Sequence, residues 1–178
     1  MIYPASTRRP ARGFTLIELT LVTVIILALL GLSIPLFRKT FSDFSAKDTA
    51  FNISKLISYA QERSIIDRKK YKIVFDFQLK RYQLVEPFSQ EGKVIYRNVP
   101  GRFGKAFKVP QGLFFGDPAG KTAPKKGEEY KKEIALYPDG RSDELLLDIL
   151  YQGGSGYRIT AKGFGSLVHI KEIAGVFQ

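Results

Sequence analysis

The chain has 178 residues, one histidine, no cysteine and no tryptophan, with a formal net charge of +11. These counts exclude a disulfide framework and a thiolate metal site, and they leave His169 as the one candidate for histidine-based catalysis. The length suits one membrane segment plus one domain of ordinary size, and the positive excess reads either as a well-charged surface or as attraction to nucleic acid, anionic lipid or an acidic protein.

The first element spans residues 8–41, RRPARGFTLIELTLVTVIILALLGLSIPLFRKTF. From Phe14 to Phe37 there is no basic residue, and Glu18 is the only acid. As a helix these residues reach about 36 Å, against a hydrocarbon core of about 30 Å. Arg8, Arg9 and Arg12 precede the run and favour a cytoplasmic N-terminus, a bias that Arg38 and Lys39 weaken. A cleaved secretory signal would carry a shorter apolar region, and a plain signal anchor leaves Glu18 unexplained. Beyond the run, Phe37, Phe41, Phe44 and Phe51 share one helical face, while Ile53, Leu56, Ile57 and Ala60 form a second stripe on a different side. The pattern predicts one helix from Phe14 to about Ile66. It is apolar all round over 14–37 and amphipathic over 38–66, where it needs the downstream domain to lie on.

After residue 66 the period changes to two. YKIVFDF (71–77) and RYQLVEP (81–87) predict a hairpin. Residues 88–132 read as irregular, with one short strand at 112–116 and an exposed loop at 117–130. EIALYPDGRSDELLLDILY then predicts strand, turn and strand, with Pro138, Asp139 and Gly140 as the turn. YRITAKG and SLVHIKEI close the chain as a hairpin around Gly163 and Gly165. The predicted fold is α+β: a long N-terminal helix packed on a C-terminal domain, 67–178, of about seven antiparallel strands.

Catalytic motifs are absent from the sequence. GGSG (153–156) joins two strands and reads as a hairpin loop, since no helix follows to cradle a phosphate. DGRSDE (139–144) lacks the ligand spacing of a calcium loop and reads as a surface turn. His169, between Val168 and Ile170, is expected to face outward without a catalytic partner. No catalytic residue, metal or cofactor is expected.

The stretch RGFTLIELTLVTVIILALLGLSIP resembles the N-terminus of type IV pilins and of the pseudopilins of type II secretion, through Gly13, Phe14, Thr15, Leu16, Ile17, Glu18 and the apolar run to Pro35. The resemblance implies that residues 1–13 are a basic leader, cut between Gly13 and Phe14 by a prepilin peptidase. It implies methylation of the Phe14 amine, residence in the inner membrane and extraction into a helical filament of pilin-like subunits. Chemistry gives the same residues tasks. Gly13 admits close backbone approach. Glu18 lies one turn after Phe14, so the new amine can neutralise it, and in a filament a neighbour's amine can set the offset between helices. The bland alternative is an interfacial glutamate that reaches headgroup water. Pro35 either ends the membrane half with a kink or, as the resemblance implies, marks where the helix melts on packing.

The second half resembles the H-type minor pseudopilins of type II secretion and related minor pilins, through LISYAQERSIIDRKKYKIVFDF, VPQGLFFG, LYPDGRSDE and GYRITAKGFGSLVHI. That implies a minor pseudopilin serving protein export. It would be single-pass in the bacterial inner membrane, with its globular domain in the periplasm, and would enter a periplasmic filament. The alternative is a minor type IV pilin of a pilus or DNA-uptake system, with a basic surface at Lys105, Lys108, Lys121, Lys125, Lys126, Lys131 and Lys132. Some relatives carry a basic Gly-Arg motif linked to DNA uptake. Residues 165–169 lack that arginine, so nucleic acid is not an expected partner.

Overall fold

The computed structural model describes residues 13–118, 130–151, 153–165 and 167–175, without the side chains of 32–39. The chain divides into two units, Met1–Lys39 and Thr40–Gln178. One helix, α1, runs Leu16–Asp67, close to the predicted bounds. Among the described residues nine strands follow: β1 (Tyr71–Asp76), β2 (Arg81–Gln90), β3 (Lys93–Asn98), β4 (Phe107–Lys108), β5 (Phe114–Gly116), β6 (Lys131–Leu136), β7 (Arg141–Leu150), β8 (Gly156–Phe164) and β9 (Leu167–Ile173). All pairings are antiparallel. The sheet order is β3-β2-β1-β6-β7-β8-β9, with β4 on β2 and β5 on β7.

Within the second unit, α1 meets the sheet through Ala46, Ala50, Ile53, Ile57 and Ala60, spaced four, three, four and three apart. Leu56 is buried beside them, so the predicted second stripe is the packed one, and the two alanines extend it toward the N-terminus. Tyr71, Ile73 and Phe75 alternate onto the core face of β1, and register places Leu84 and Ile134 on either side of Ile73. The helix ends where Arg68 turns left-handed, at φ 52°. Its last turns are tied to β6: the Ser64 hydroxyl bonds the Leu136 carbonyl at 3.0 Å, and Gln61 Nε2 donates to the Tyr137 carbonyl at 3.1 Å.

The stretch predicted as irregular, 88–132, is more ordered than that. β2 continues to Gln90, and β3 follows after the two-residue loop Glu91-Gly92, with φ of 51° and 77°. Positive φ at both positions matches the right-handed twist of the strands it joins. Pro87 is tolerated because β1 pairs with β2 only as far as Lys72–Val85, leaving Pro87 with β3 alone beside it. A 3₁₀ turn at Arg102–Gly104 lies against Val99, where a β-carbon on Gly104 would sit 1.4 Å from the Val99 carbonyl oxygen. The predicted strand at 112–116 is present as the shorter β5, whose Phe115 joins the core. Part of the predicted exposed loop, 119–129, lies outside the described residues.

Four tyrosines make the second unit sensitive to alkali. Burial pushes Tyr71, Tyr82, Tyr130 and Tyr157 up to about 12, and bonds to Asp67, Asp117 and Asp43 add to the shift at Tyr71, Tyr130 and Tyr157. A phenol whose folded value is raised stabilises fully below the unfolded value near 10 and loses that contribution as pH rises toward 12. Melting temperature should therefore fall between pH 10 and 12, with tyrosinate absorbance rising in step with unfolding.

Candidate processing and assembly site

In the first unit, Gly13, Phe14 and Thr15 precede the helix and Glu18 lies in its first turn. Thr15 caps that turn: its carbonyl accepts from the Glu18 and Leu19 amides at 3.1 Å, and its hydroxyl accepts from the Glu18 amide at 3.3 Å. Threonine followed three residues later by glutamate is the capping-box pattern. The signal is written in the sequence as TLIE, residues 15–18. Glu18 thus has a local task, since a carboxylate near a helix N-terminus opposes the positive end of the dipole. Nothing lies within 4 Å of where a Gly13 β-carbon would stand, so packing within the described residues does not require glycine there. In the uncut chain the Phe14 nitrogen is an amide, and only cleavage would make it an amine.

The described apolar residues that follow are exposed side by side from Leu16 to Leu30. The two threonines among them turn inward on the backbone: Thr20 Oγ1 donates to the Ile17 carbonyl at 2.9 Å and Thr23 Oγ1 to the Leu19 carbonyl at 2.8 Å. Among the described residues no helix is long and apolar enough to cross a membrane. The predicted span 14–37 runs into 32–39, whose side chains, Pro35 included, lie outside the described residues. The basic leader at 1–12 lies outside them as well.

The second unit leaves the predicted phenylalanine face uncovered. Phe41, Phe44 and Phe51 are 72%, 68% and 46% exposed. On another side of the same stretch, Asp43 Oδ1 accepts from Tyr157 at 3.1 Å and from Tyr151 at 3.4 Å, joining the helix to β8 and to the end of β7. Asp43→Ala should cost about 1 kcal/mol of stability and speed amide exchange in the turn around it, measured by hydrogen–deuterium exchange.

The acids of 139–144 are engaged as in a surface turn. Asp139 pairs with Arg141 at 2.6 Å, Asp143 accepts from the Ala135 amide at 3.2 Å, and Glu144 lies 3.5 Å from Lys162. Gly140 has φ 86°, as the turn requires. Among the described residues no group of acids and histidine is placed to hold a metal. His169 lies exposed on β9, opposite Thr160. The residues proposed as a basic surface separate. Lys105, Lys108 and Lys131 are exposed, whereas Lys132 is bound to Asp117 at 2.8 Å and to the Leu146 carbonyl at 2.6 Å. Lys121, Lys125 and Lys126 lie outside the described residues.

A helix running onto one antiparallel sheet, its later turns buried and its first turns apolar and exposed, is a pilin-like α+β fold. Two solved structures of the minor pseudopilin EpsH from the type II secretion system of Vibrio cholerae share it. One has a TM-score of 0.53 at 16% identity, covering 73% of this chain and 97% of that one. The other has a TM-score of 0.51 at 14% identity, covering 76% and 98%. No family model and no curated protein sequence matches the chain. The likeness is therefore one of fold.

Proposed function

We propose that this chain is a minor pseudopilin of the H type, a structural subunit of a type II secretion pseudopilus that takes part in protein export. The observation that carries the reading is the pairing of a pseudopilin-like fold with a GFTLIE start, in which Gly13 is free of packing contacts and Glu18 sits in the first helical turn. The apolar side chains exposed along residues 16–30 need a non-aqueous cover, and the inward-turned threonine hydroxyls suit hydrocarbon. On this reading α1 waits in the inner membrane over 14–37, with the globular domain in the periplasm, and later packs among other pilin-like helices. Pro35 lets the helix adjust on packing. Nucleic acid is not assigned as a partner, because Lys132 is committed to Asp117 and the Gly-Arg motif is missing.

Processing tests the reading directly. Co-expression with a prepilin peptidase should remove 13 residues and leave methylated Phe14 at the N-terminus, read by intact mass. A bulky residue in place of Gly13 should abolish the cut. A chain that still begins at Met1 in peptidase-positive cells would remove the pseudopilin assignment.

A further inference from the structure

β6 and β7 pair at one position, Leu136–Ser142, and then diverge. Further along β7 the Leu146 carbonyl is met by the Lys132 side chain instead of by β6 backbone. The turn that joins the two strands therefore carries much of their connection. In it the Tyr137 amide donates to the Arg141 carbonyl at 2.9 Å and the Gly140 amide to the Tyr137 carbonyl at 3.1 Å. The Gly140 carbonyl accepts from the Gly165 amide at 2.9 Å, which ties this turn to the one between β8 and β9. Asp139 and Gly140 thus form an Asp-Gly pair at a structural junction. Such a pair is open to backbone rearrangement, because glycine puts no side chain in the way of its own nitrogen. The Asp139 side chain is 46% exposed, so water reaches it. Among the described residues, a β-carbon on Gly140 would meet nothing nearer than the Phe164 ring at 4.0 Å.

In that rearrangement the Gly140 nitrogen attacks Asp139 Cγ. One water leaves, made of a carboxyl oxygen, the proton of the neutral acid and the proton of the amide. The cyclic imide then takes up water at either carbonyl. Opening at Cγ restores aspartate. Opening at the Asp139 main-chain carbonyl gives isoaspartate, with an extra carbon in the backbone and no change of mass. Arg141 opposes the first step. Its amide donates to Asp139 Oδ1 at 3.1 Å and its Nε to Oδ2 at 2.6 Å. Both bonds favour the ionised carboxylate, a poor electrophile, and the Arg141 amide, joined by the guanidinium, holds this carboxyl below the usual carboxylate range. The nucleophile is engaged as well, since the Gly140 amide already donates to Tyr137. We propose that Asp139–Gly140 is an isoaspartate-forming site that Arg141 keeps closed, and that its conversion opens the seam between β6 and β7. The extra backbone carbon displaces Gly140 from both Tyr137 and Gly165. The inference stands whether or not the chain is a pseudopilin.

The test is to age the full chain in micelles at neutral pH and physiological temperature, and to count isoaspartate at position 139. Peptide mapping with electron-transfer fragmentation separates isoaspartate from aspartate at equal mass. The folded chain should convert at least tenfold more slowly than the same chain unfolded in urea, because attack must wait for the turn to open. Arg141→Ala removes the guanidinium and should speed conversion at least threefold. Lys162→Ala breaks the neighbouring pair with Glu144 but leaves Asp139 untouched, so its rate should match the parent chain. In the converted fraction, hydrogen exchange should quicken at the Tyr137 and Gly165 amides, whose acceptors lie in this turn. Three results would overturn the proposal: equal rates folded and unfolded, no acceleration in Arg141→Ala, or equal acceleration in Lys162→Ala.

Discussion

Phe75→Ala is expected to destabilise the second unit by about 3–5 kcal/mol, the range for emptying a fully buried aromatic site. Phe75 is completely buried near the end of β1. Its ring lies 6.2 Å from Tyr82 and meets Phe115 edge-on at 5.9 Å, so it links β1, β2 and β5. Those neighbours are fixed to different strands and cannot all move into the space, which places the cost toward the upper end. The measurement is urea unfolding of the full chain in micelles, with a lower midpoint and unchanged slope. Phe44→Ala is the contrast: Phe44 is 68% exposed, so its loss should change stability by less than about 0.5 kcal/mol. A loss under about 1 kcal/mol at Phe75 would mean that the aromatic cluster does not organise the core.

If the chain assembles as proposed, Glu18→Ala should weaken assembly while sparing the steps before it. On the proposed function Glu18 lies in the membrane segment, so removing its charge should leave insertion unharmed or improved, and the proposed cut should persist because Gly13 and Phe14 are unchanged. Recruitment by other pilin-like subunits should drop at least tenfold, about 1.4 kcal/mol, read by cross-linking beside a secretion assay. The Thr15 cap adds a second variant that separates two causes. Glutamine suits a capping box as glutamate does, but it cannot form a charge pair with a neighbour's amine. Both Glu18→Ala and Glu18→Gln should therefore fail. If Glu18→Gln assembles and Glu18→Ala does not, Glu18 acts through the helix start. If both assemble with secretion intact, Glu18 is a passive interfacial residue.

Much of the fold was legible because its signals are local. Period 3.6 marked α1 to within two residues at each end, and period 2 marked β1, β2, β6, β7, β8 and β9. Pro138-Asp139-Gly140 announced its turn, and Ile53, Leu56, Ile57 and Ala60 announced one of two apolar stripes on the helix. β3 was missed for two reasons. Glu91-Gly92 is a less familiar hairpin loop than Asn-Gly or Asp-Gly, and Lys93–Asn98 is an exposed edge strand with no buried alternation to read. β4 and β5 are too short for any period to show, and they exist because β2 and β7 offer them free backbone.

The candidate sites divide in the same way. GFTLIE, the apolar run and the capping pattern at Thr15 and Glu18 are contiguous, so the sequence by itself determined where processing and assembly are to be sought. Only the tertiary structure decided which helical face is covered. Both stripes are apolar, and it is the small side chains of Ala46, Ala50 and Ala60 that let the helix approach the sheet while Phe41, Phe44 and Phe51 are left outside. It alone decided that Lys132 is spent on Asp117, residues 15 apart in the chain. It alone set the Gly165 amide on the Gly140 carbonyl, because those two sit in different turns and strand pairing, unlike helical or strand period, is not written in neighbouring residues.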